Sequence, residues 1–342
     1  MTIILNGKRF DQIAYGSERD FEEDVVQSSK VLFGAETVYI DAKKRLESKT
    51  LGTTVPDGFF FDFRDPTDPQ FYIVEVELSQ HSFYSHIFPQ ITKFFAFFKN
   101  SKVQKTLADK LHSLIENDNG LKTEFKFHLG NSEIYKFLSD ILETSQNILL
   151  VSDGTIIELP EIMDTYTDTW GRMVKPLEIR KYGSGKDILF SLTPDLETLP
   201  YGESGQVPEG PGTDEEPSPY TESFHLENSS SEVRKIYAKI KETAAKIDSR
   251  LLFNPQKYYI SIKAGKNIAF QEVRKNKIRF IALLPEAEIR ELVHNHVVVS
   301  LSAPVQKFYN SPCASIDLSD TAHFEEIENI IGLLASRSKW GT

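Results

Sequence analysis

The sequence predicts an α/β protein of two domains, and three observations predict it. Strand-like and helix-like hydrophobic periods alternate through the first 192 residues, an acidic segment rich in Pro and Gly interrupts the chain at 193–221, and a length of 342 residues suffices for two ordinary cores. The expected organisation is therefore an α/β domain over 1–192, a linker over 193–221 and a smaller α+β domain over 222–342.

The elements follow in order. Ser17-Glu18-Arg19-Asp20 reads as a capping box that opens a helix through about Ser29, and a short strand begins over Thr37 to Ile40. Gly58 to Phe63 and Phe71 to Leu78 read as strands joined by the turn-rich Arg64-Asp65-Pro66-Thr67-Asp68-Pro69. Ile87, Ile91, Phe94, Phe95 and Phe98 recur at helical spacing, which predicts a helix from about Tyr84 to Lys99. Helices over Val103 to Ile115 and Glu133 to Leu142, a buried strand over Asn147 to Val151, a helix over Ile156 to Trp170, and strands over Val174 to Tyr182 and Asp187 to Leu192 complete the first domain. Beyond the linker a helix is expected over Ser230 to Asp248, strands over Tyr258 to Lys263, Ile268 to Val273 and Lys277 to Leu284, and helices over Glu286 to Val293 and His323 to Ala335.

The stretch that carries chemistry is Val55-Pro56-Asp57-Gly58, followed by Tyr72-Ile73-Val74-Glu75-Val76-Glu77-Leu78. Side chains alternate across a strand, so Glu75 and Glu77 share a face. A solvated turn aspartate and the open face of an edge strand would explain these acids blandly. The strand is too apolar for that, because buried strands almost never carry two unpaired acids. Ionised together, such carboxylates need a cation, and an all-oxygen cluster suits a hard divalent ion, Mg²⁺ or Mn²⁺.

These residues resemble the PD-(D/E)XK nuclease superfamily, whose pattern is a helix with an acidic residue, a Pro-Asp turn, and an acid-x-Lys strand followed by a helix. Pro56-Asp57 matches the turn, and Glu75-Val76-Glu77 matches the strand except at its last residue, where Glu77 replaces the usual Lys. The helix acid falls on Glu22 or Glu23, and a Gln-x-x-x-aromatic element falls on Gln90 to Phe94. The resemblance implies a restriction-endonuclease-like αβββαβ core, a mixed central sheet flanked by helices, in a magnesium-dependent DNA endonuclease or related phosphodiesterase. It implies Asp57, Glu75 and Glu77 as metal ligands and catalytic residues, with Glu22 or Glu23 and Gln90 beside them. Lys93, one helical turn from Gln90, is the candidate substitute for the missing lysine, although surface lysines are ordinary. Defence against foreign DNA or repair would be the setting. Residues 222–340 diffusely resemble a small domain found at the C-terminal end of bacterial nuclease-like proteins, which implies no activity.

His81 and His86 lie five residues apart, which is not the helical four that sets two imidazoles on one face, so a zinc pair is not expected. A supporting or substrate-facing role competes with plain hydrogen-bonded histidines.

A formal charge of −11 argues at first against a nucleic-acid partner. Eight of the acids, however, stand between Pro194 and Ser223 without a single Lys or Arg. Within Arg234 to Arg279, thirteen Lys or Arg face only Glu242, Asp248 and Glu272, with Tyr258, Tyr259, Phe270 and Phe280 interleaved. A base can stack on such aromatics, so Lys263, Lys266, Arg274, Lys275, Lys277 and Arg279 join Lys93 as candidate nucleic-acid contacts. A solvated helix face would look similar, and the acidic tether could fold back on the patch and mask it. A single cysteine, Cys313, excludes an internal disulfide and a thiolate zinc cluster. With no run of eighteen apolar residues and no signal-peptide layout, the expected location is cytoplasmic, without a membrane partner. DNA is the expected partner, and a homodimer the assembly considered. Two other readings stay open: a nuclease scaffold that binds nucleic acid without turnover, and a regulatory or interaction protein with a ligand-binding C-terminal domain.

Overall fold

The structure, a computed structural model, describes residues 2–45, 51, 54–66, 68–196, 220–227, 229–256 and 259–338. Most of the expected linker lies outside the described residues. The chain divides into two compact units, Met1–Leu196 and Glu197–Thr342. Among the described residues helix supplies 44% and strand 27%, the mixed α/β class that the alternating periods predict.

The first unit opens with a hairpin of β1 (Thr2–Leu5) and β2 (Lys8–Ile13), which the sequence reading missed. Its signal was Asn6-Gly7: both residues have positive φ, 50° and 73°, as a two-residue turn of right-handed twist requires. Helix α1 (Glu18–Gln27) starts at Ser17, whose Oγ accepts from the Asp20 N–H at 3.2 Å, and it buries Phe21 and Val25. Then come α2 (Ser29–Phe33), β3 (Thr37–Asp41), the single turn α3 (Ala42–Arg45), β4 (Gly58–Asp62) and β5 (Gln70–Glu77).

The helix expected over Tyr84 to Lys99 is two pieces, a π-helical turn at Phe83–Ile87 and α4 (Phe88–Phe98), which Pro89 starts in its first turn. Next are α5 (Ser101–Asn117), α6 (Asn119–Leu129, unforeseen), α7 (Ile134–Thr144) and β6 (Asn147–Ser152). The helix expected over Ile156 to Trp170 is likewise α8 (Leu159–Thr165), with Pro160 in its first turn, and a second π-helical turn at Thr167–Gly171. Strands β7 (Val174–Ser184) and β8 (Asp187–Thr193) end the unit.

The sheet order is β1-β2-β7-β6-β5-β4-β3, with β8 also on β7. Strands β3, β4 and β5 are antiparallel neighbours, whereas β5, β6 and β7 run parallel, so the sheet is mixed. Phe59, Phe61, Phe71, Ile73, Ile148 and Leu150 form one core with Ile91, Phe94, Leu111, Phe125 and Leu138 from the helices. Glu75 and Glu77 continue the row that Phe71 and Ile73 begin, at the carboxyl end of β5. Ligands in open α/β sheets gather at such strand ends.

The second unit consists of α9 (Glu222–Leu226), α10 (Ser231–Ile247), β9 (Leu252–Pro255), β10 (Ile260–Ala264), β11 (Lys266–Val273), β12 (Ile278–Ala282), α11 (Glu286–Leu292), β13 (Val297–Ser300), α12 (Ala303–Phe308), β14 (Ala314–Leu318) and α13 (Glu325–Arg337). The sheet runs β13-β14-β12-β11-β10-β9, antiparallel throughout. Ile236, Ile240, Ile262, Phe280, Ile316, Ile327 and Ile331 form its main core, and Tyr259, Phe270, Ile281, Leu301 and Tyr309 a second one.

Candidate metal centre

Strand register delivers the first acid. Asp41 lies opposite Gly58, so the chain leaving β3 meets the chain entering β4: the Ala42 N–H donates to the Asp57 carbonyl at 3.0 Å. Asp41 Oδ1 accepts from the Lys44 N–H at 3.0 Å, closing the single turn α3. That turn sets Lys43 against Asp57, where its ammonium pairs with Asp57 Oδ1 and lies 2.9 Å from Glu22 Oε1. The other oxygen of Asp57 accepts the Val76 N–H at 2.6 Å, which ties the Pro-Asp turn to β5 beside Glu75. Gly58 is required here, because a Cβ would stand 2.3 Å from Tyr39 Oη.

Asp57, Glu75 and Glu77 are all buried, as the sequence predicts. Glu22 and Glu23 part company. Glu22 faces Lys43 and Asp57, whereas Glu23 pairs with Arg19 at the surface, 3.1 Å away. Gln90 is half-buried on α4, and Lys93 stands on that helix's exposed face. The cation that reaches the carboxylates is Lys43, which the sequence reading missed. Its only local signal was a basic run, Lys43-Lys44-Arg45, directly after a strand.

A second group adjoins the first. Glu77 Oε2 lies 2.9 Å from His81 Nδ1, and Glu77 Oε1 lies 3.1 Å from His86 Nε2. Glu18, at the start of α1, puts Oε2 3.3 Å from His81 Nδ1 and 3.8 Å from His86 Nε2. The expectation that the two histidines stay apart is corrected: their spacing would separate them on an α-helix, but His81 sits in the turn after β5 and His86 in the π-helical turn. Their ring centroids are 4.9 Å apart.

The electrostatics follow from crowding. Burial, then the neighbouring Asp57 charge, pushes Glu22 up to about 7, with Lys43 opposing. Burial pushes Glu77 up to about 7 against the His81 hydrogen bond. Burial and the charges of Asp57 and Glu77 hold Glu75 well above the carboxylate range. Asp57 is raised by burial too, with Lys43 and the Val76 N–H pulling the other way. Lys43 is raised by its two acids despite its own burial. Lys43 thus pairs with Asp57 and Glu22, while the two imidazoles lie against Glu77 and Glu18.

The basic stretch of the second unit reads differently in three dimensions. Tyr259, Phe270 and Phe280 are buried in its cores, so they offer no ring face to a base; Tyr258 lies outside the described residues. Lys277 and Arg279 are buried as well: Lys277 Nζ lies 2.8 Å from Asp317, and Arg279 lies within 4 Å of both Glu272 and Asp317. Arg274 pairs with Glu272 at 3.1 Å. Sequence reasoning could not see this neutralisation, since Asp317 is some forty residues downstream. Lys266 and Lys275 are exposed, and Lys263 is half-buried. Lys241 pairs with Glu222 of α9 at 2.8 Å, within the second unit; the tether that could mask the patch lies largely outside the described residues.

No helix among the described residues is long and apolar enough to cross a membrane. Compared with family models, with curated proteins and with solved structures, the chain finds no match, so the functional reading stands on this centre and on the sequence pattern that leads to it.

Proposed function

We propose that the first unit is a metal-dependent nuclease that hydrolyses phosphodiester bonds in DNA. The observation that carries this reading is the cluster of carboxylates at the end of β5: Asp57, Glu75 and Glu77 are buried, Glu22 and Glu18 are half-buried beside them, and Lys43 pairs with Asp57 and Glu22. Carboxylates crowded in this way either take up protons, as the raised Glu22, Glu75 and Glu77 do, or ionise around a ligand of opposite sign. The likeness to the PD-(D/E)XK pattern supplies the reaction class, and the succession α1, β3, β4, β5, helix, β6 supports it.

The donors fit a hard divalent ion. Asp57 and Glu75 are oxygen ligands in a water-poor recess, and they would hold Mg²⁺ or Mn²⁺. Such an ion, when bound, makes a bound water acidic and neutralises charge on the phosphate. The chain's own groups do the rest. Lys43 opposes the upward shift that burial imposes on Asp57 and puts a positive charge beside the proposed ligands, a charge that could serve phosphate oxygens in place of the lysine absent at residue 77. Glu22, raised to about 7, is suited to pass a proton near neutral pH. Tyr39, whose hydroxyl burial keeps neutral, lines the Asp57–Gly58 turn. The presence of Lys43 favours turnover over the reading of an inert scaffold.

Plasmid nicking in Mg²⁺ or Mn²⁺, with a chelator control, tests this. Asp57→Asn and Glu75→Gln should each lower cleavage by at least about a thousandfold while the circular dichroism spectrum is kept. Undiminished cleavage in either variant overturns the assignment. DNA binding without cleavage in any divalent ion would instead identify the inert scaffold.

A further inference from the structure

Glu77, His81, His86 and Glu18 are not explained by a hard-ion site. Each oxygen of Glu77 lies against an imidazole, Oε2 against His81 and Oε1 against His86. The four donor atoms all lie within 4.8 Å of one another. The four N···O separations are 2.9, 3.1, 3.3 and 3.8 Å. Ligands around an ion with bonds of about 2.0–2.1 Å stand about 3.3 Å apart, and these separations, which involve both oxygens of Glu77 and one of Glu18, lie near that spacing.

The bland alternative is a carboxylate hydrogen-bonded to two histidines. It accounts for His81, whose Nδ1 forms that bond. It does not account for His86, whose Nε2 is shielded from solvent and only 3.1 Å from Glu77 Oε1, yet is not aligned for a hydrogen bond. A nitrogen held close to an oxygen but not aimed at it is placed as a fellow ligand is placed. Three separate elements converge to make the set: the first turn of α1, the end of β5 with its following turn, and the π-helical turn. A π-helical turn is a local irregularity that tends to occur at functional sites.

We propose that Glu18, Glu77, His81 and His86 form a second cation site that takes a transition-metal ion, Zn²⁺ or Mn²⁺, in preference to Mg²⁺. Two imidazoles and two carboxylates are a borderline donor set: nitrogen ligands favour transition ions, whereas Mg²⁺ holds to oxygen and water. The inference deepens the nuclease reading, since it gives the same centre a second ion, and it shares the premise that these carboxylates meet a metal.

The test uses the full-length protein stripped of metal, dialysed against Zn²⁺ with millimolar Mg²⁺ present. One Zn²⁺ per chain should be retained. His81→Ala and His86→Ala should each weaken its binding at least about a hundredfold, as loss of a ligand costs no less than the tenfold to hundredfold seen for outer partners. His81→Gln and His86→Gln, which keep a polar side chain in place, guard against a folding defect and should lose Zn²⁺ equally. Pulsed electron paramagnetic resonance of bound Mn²⁺ should show nitrogen couplings that vanish in the double histidine variant. Zn²⁺ bound equally by wild type and both histidine variants, or displaced by Mg²⁺ at equal concentration, overturns the proposal. The two readings fail separately. Histidine-dependent Zn²⁺ binding without cleavage in any ion removes the nuclease and keeps this site, whereas cleavage that needs Asp57, together with Zn²⁺ binding indifferent to both histidines, does the reverse.

Discussion

Lys43 is shared between Asp57 and Glu22, and its removal separates electrostatic from structural roles. Lys43→Met should lower cleavage by about a hundredfold or more, since a cation aimed at developing charge is commonly worth that much. Mn²⁺ binding should persist or tighten, because a competing positive charge has gone. An unchanged rate would show that Lys43 only neutralises. The acids themselves set a pH dependence. Glu22 faces Asp57, Lys43 and Glu18, and Glu77 faces His81, His86, Glu18, Asp57 and Glu75; both are raised from an ordinary 4.5 to about 7. A carboxyl whose folded value lies above its unfolded one binds its proton more tightly in the native state. Its stabilising effect is complete below about 4.5 and is lost as pH rises through 7. The metal-free melting temperature should therefore fall between pH 5 and pH 8, and Glu22→Gln should flatten the fall. A rise over that interval would contradict the crowding described. A third residue tests the second unit. Gln271 is fully buried between Ile260 and Phe280, and neither amide atom has a hydrogen-bond partner among the described residues. Gln271→Met should stabilise by about 1–2 kcal/mol in chemical denaturation, the cost of a buried unsatisfied amide. Of the site, the sequence showed what is local: Asp57 in its turn, and Glu75 and Glu77 on one strand face. Lys43 and Glu18 could not be read, because they reach the centre through strand register and helix docking rather than through spacing.

The elements divide in the same way. Long amphipathic helices such as α5 and α10, and the apolar strands β4, β5 and β6, were legible because their hydrophobic period is unbroken over many residues. The short strands β9, β13 and β14 were not, since four or five residues carry too little period and β14 includes Ser315 and Asp317. The π-helical turn at Phe83–Ile87 falls largely within the α-helix expected from about Tyr84, because Ile87 keeps helical spacing with Ile91, Phe94, Phe95 and Phe98; His86 in that turn lies 3.1 Å from Glu77. The β3–β4 pairing offers a prediction at this scale. A Cβ on Gly58 would lie 2.3 and 2.4 Å from Tyr39 Oη and Cζ, so Gly58→Ala must displace the ring or part the strands. A destabilisation of about 1–3 kcal/mol is expected from overpacking. Tyr39→Ala should relieve it, and a double-mutant cycle would show favourable coupling between the two changes. Additive effects would mean that the strands, not the ring, absorb the added carbon.

At the scale of the whole molecule, each unit closes a core of its own: the aromatic strands around Phe61 with α4 to α7 in the first, and Phe280 and Ile316 with α10 and α13 in the second. A fragment ending at Leu196 should therefore fold, melt in a single cooperative transition, bind Mn²⁺ and cleave DNA weakly at low salt. What it loses is the basic stretch, and the structure limits how much that stretch can give. Lys277, Arg279 and Arg274 are committed to Glu272 and Asp317, and the interleaved aromatics are core. Lys266 and Lys275 are the exposed members of the candidate set in this unit. Each phosphate contact contributes about 0.9 to the slope of log affinity against log salt. The fragment's slope should then be shallower than the full chain's by about two, not by the five or six that a count of all the basic candidates would suggest. Lys266→Ser with Lys275→Ser in the full chain should reproduce the same change. Equal slopes for fragment and full chain would make the stretch a solvated face, and the first unit would find its substrate unaided. A difference near six would require the ion pairs with Glu272 and Asp317 to open on DNA, releasing buried arginine and lysine at a cost that only several phosphate contacts could offset.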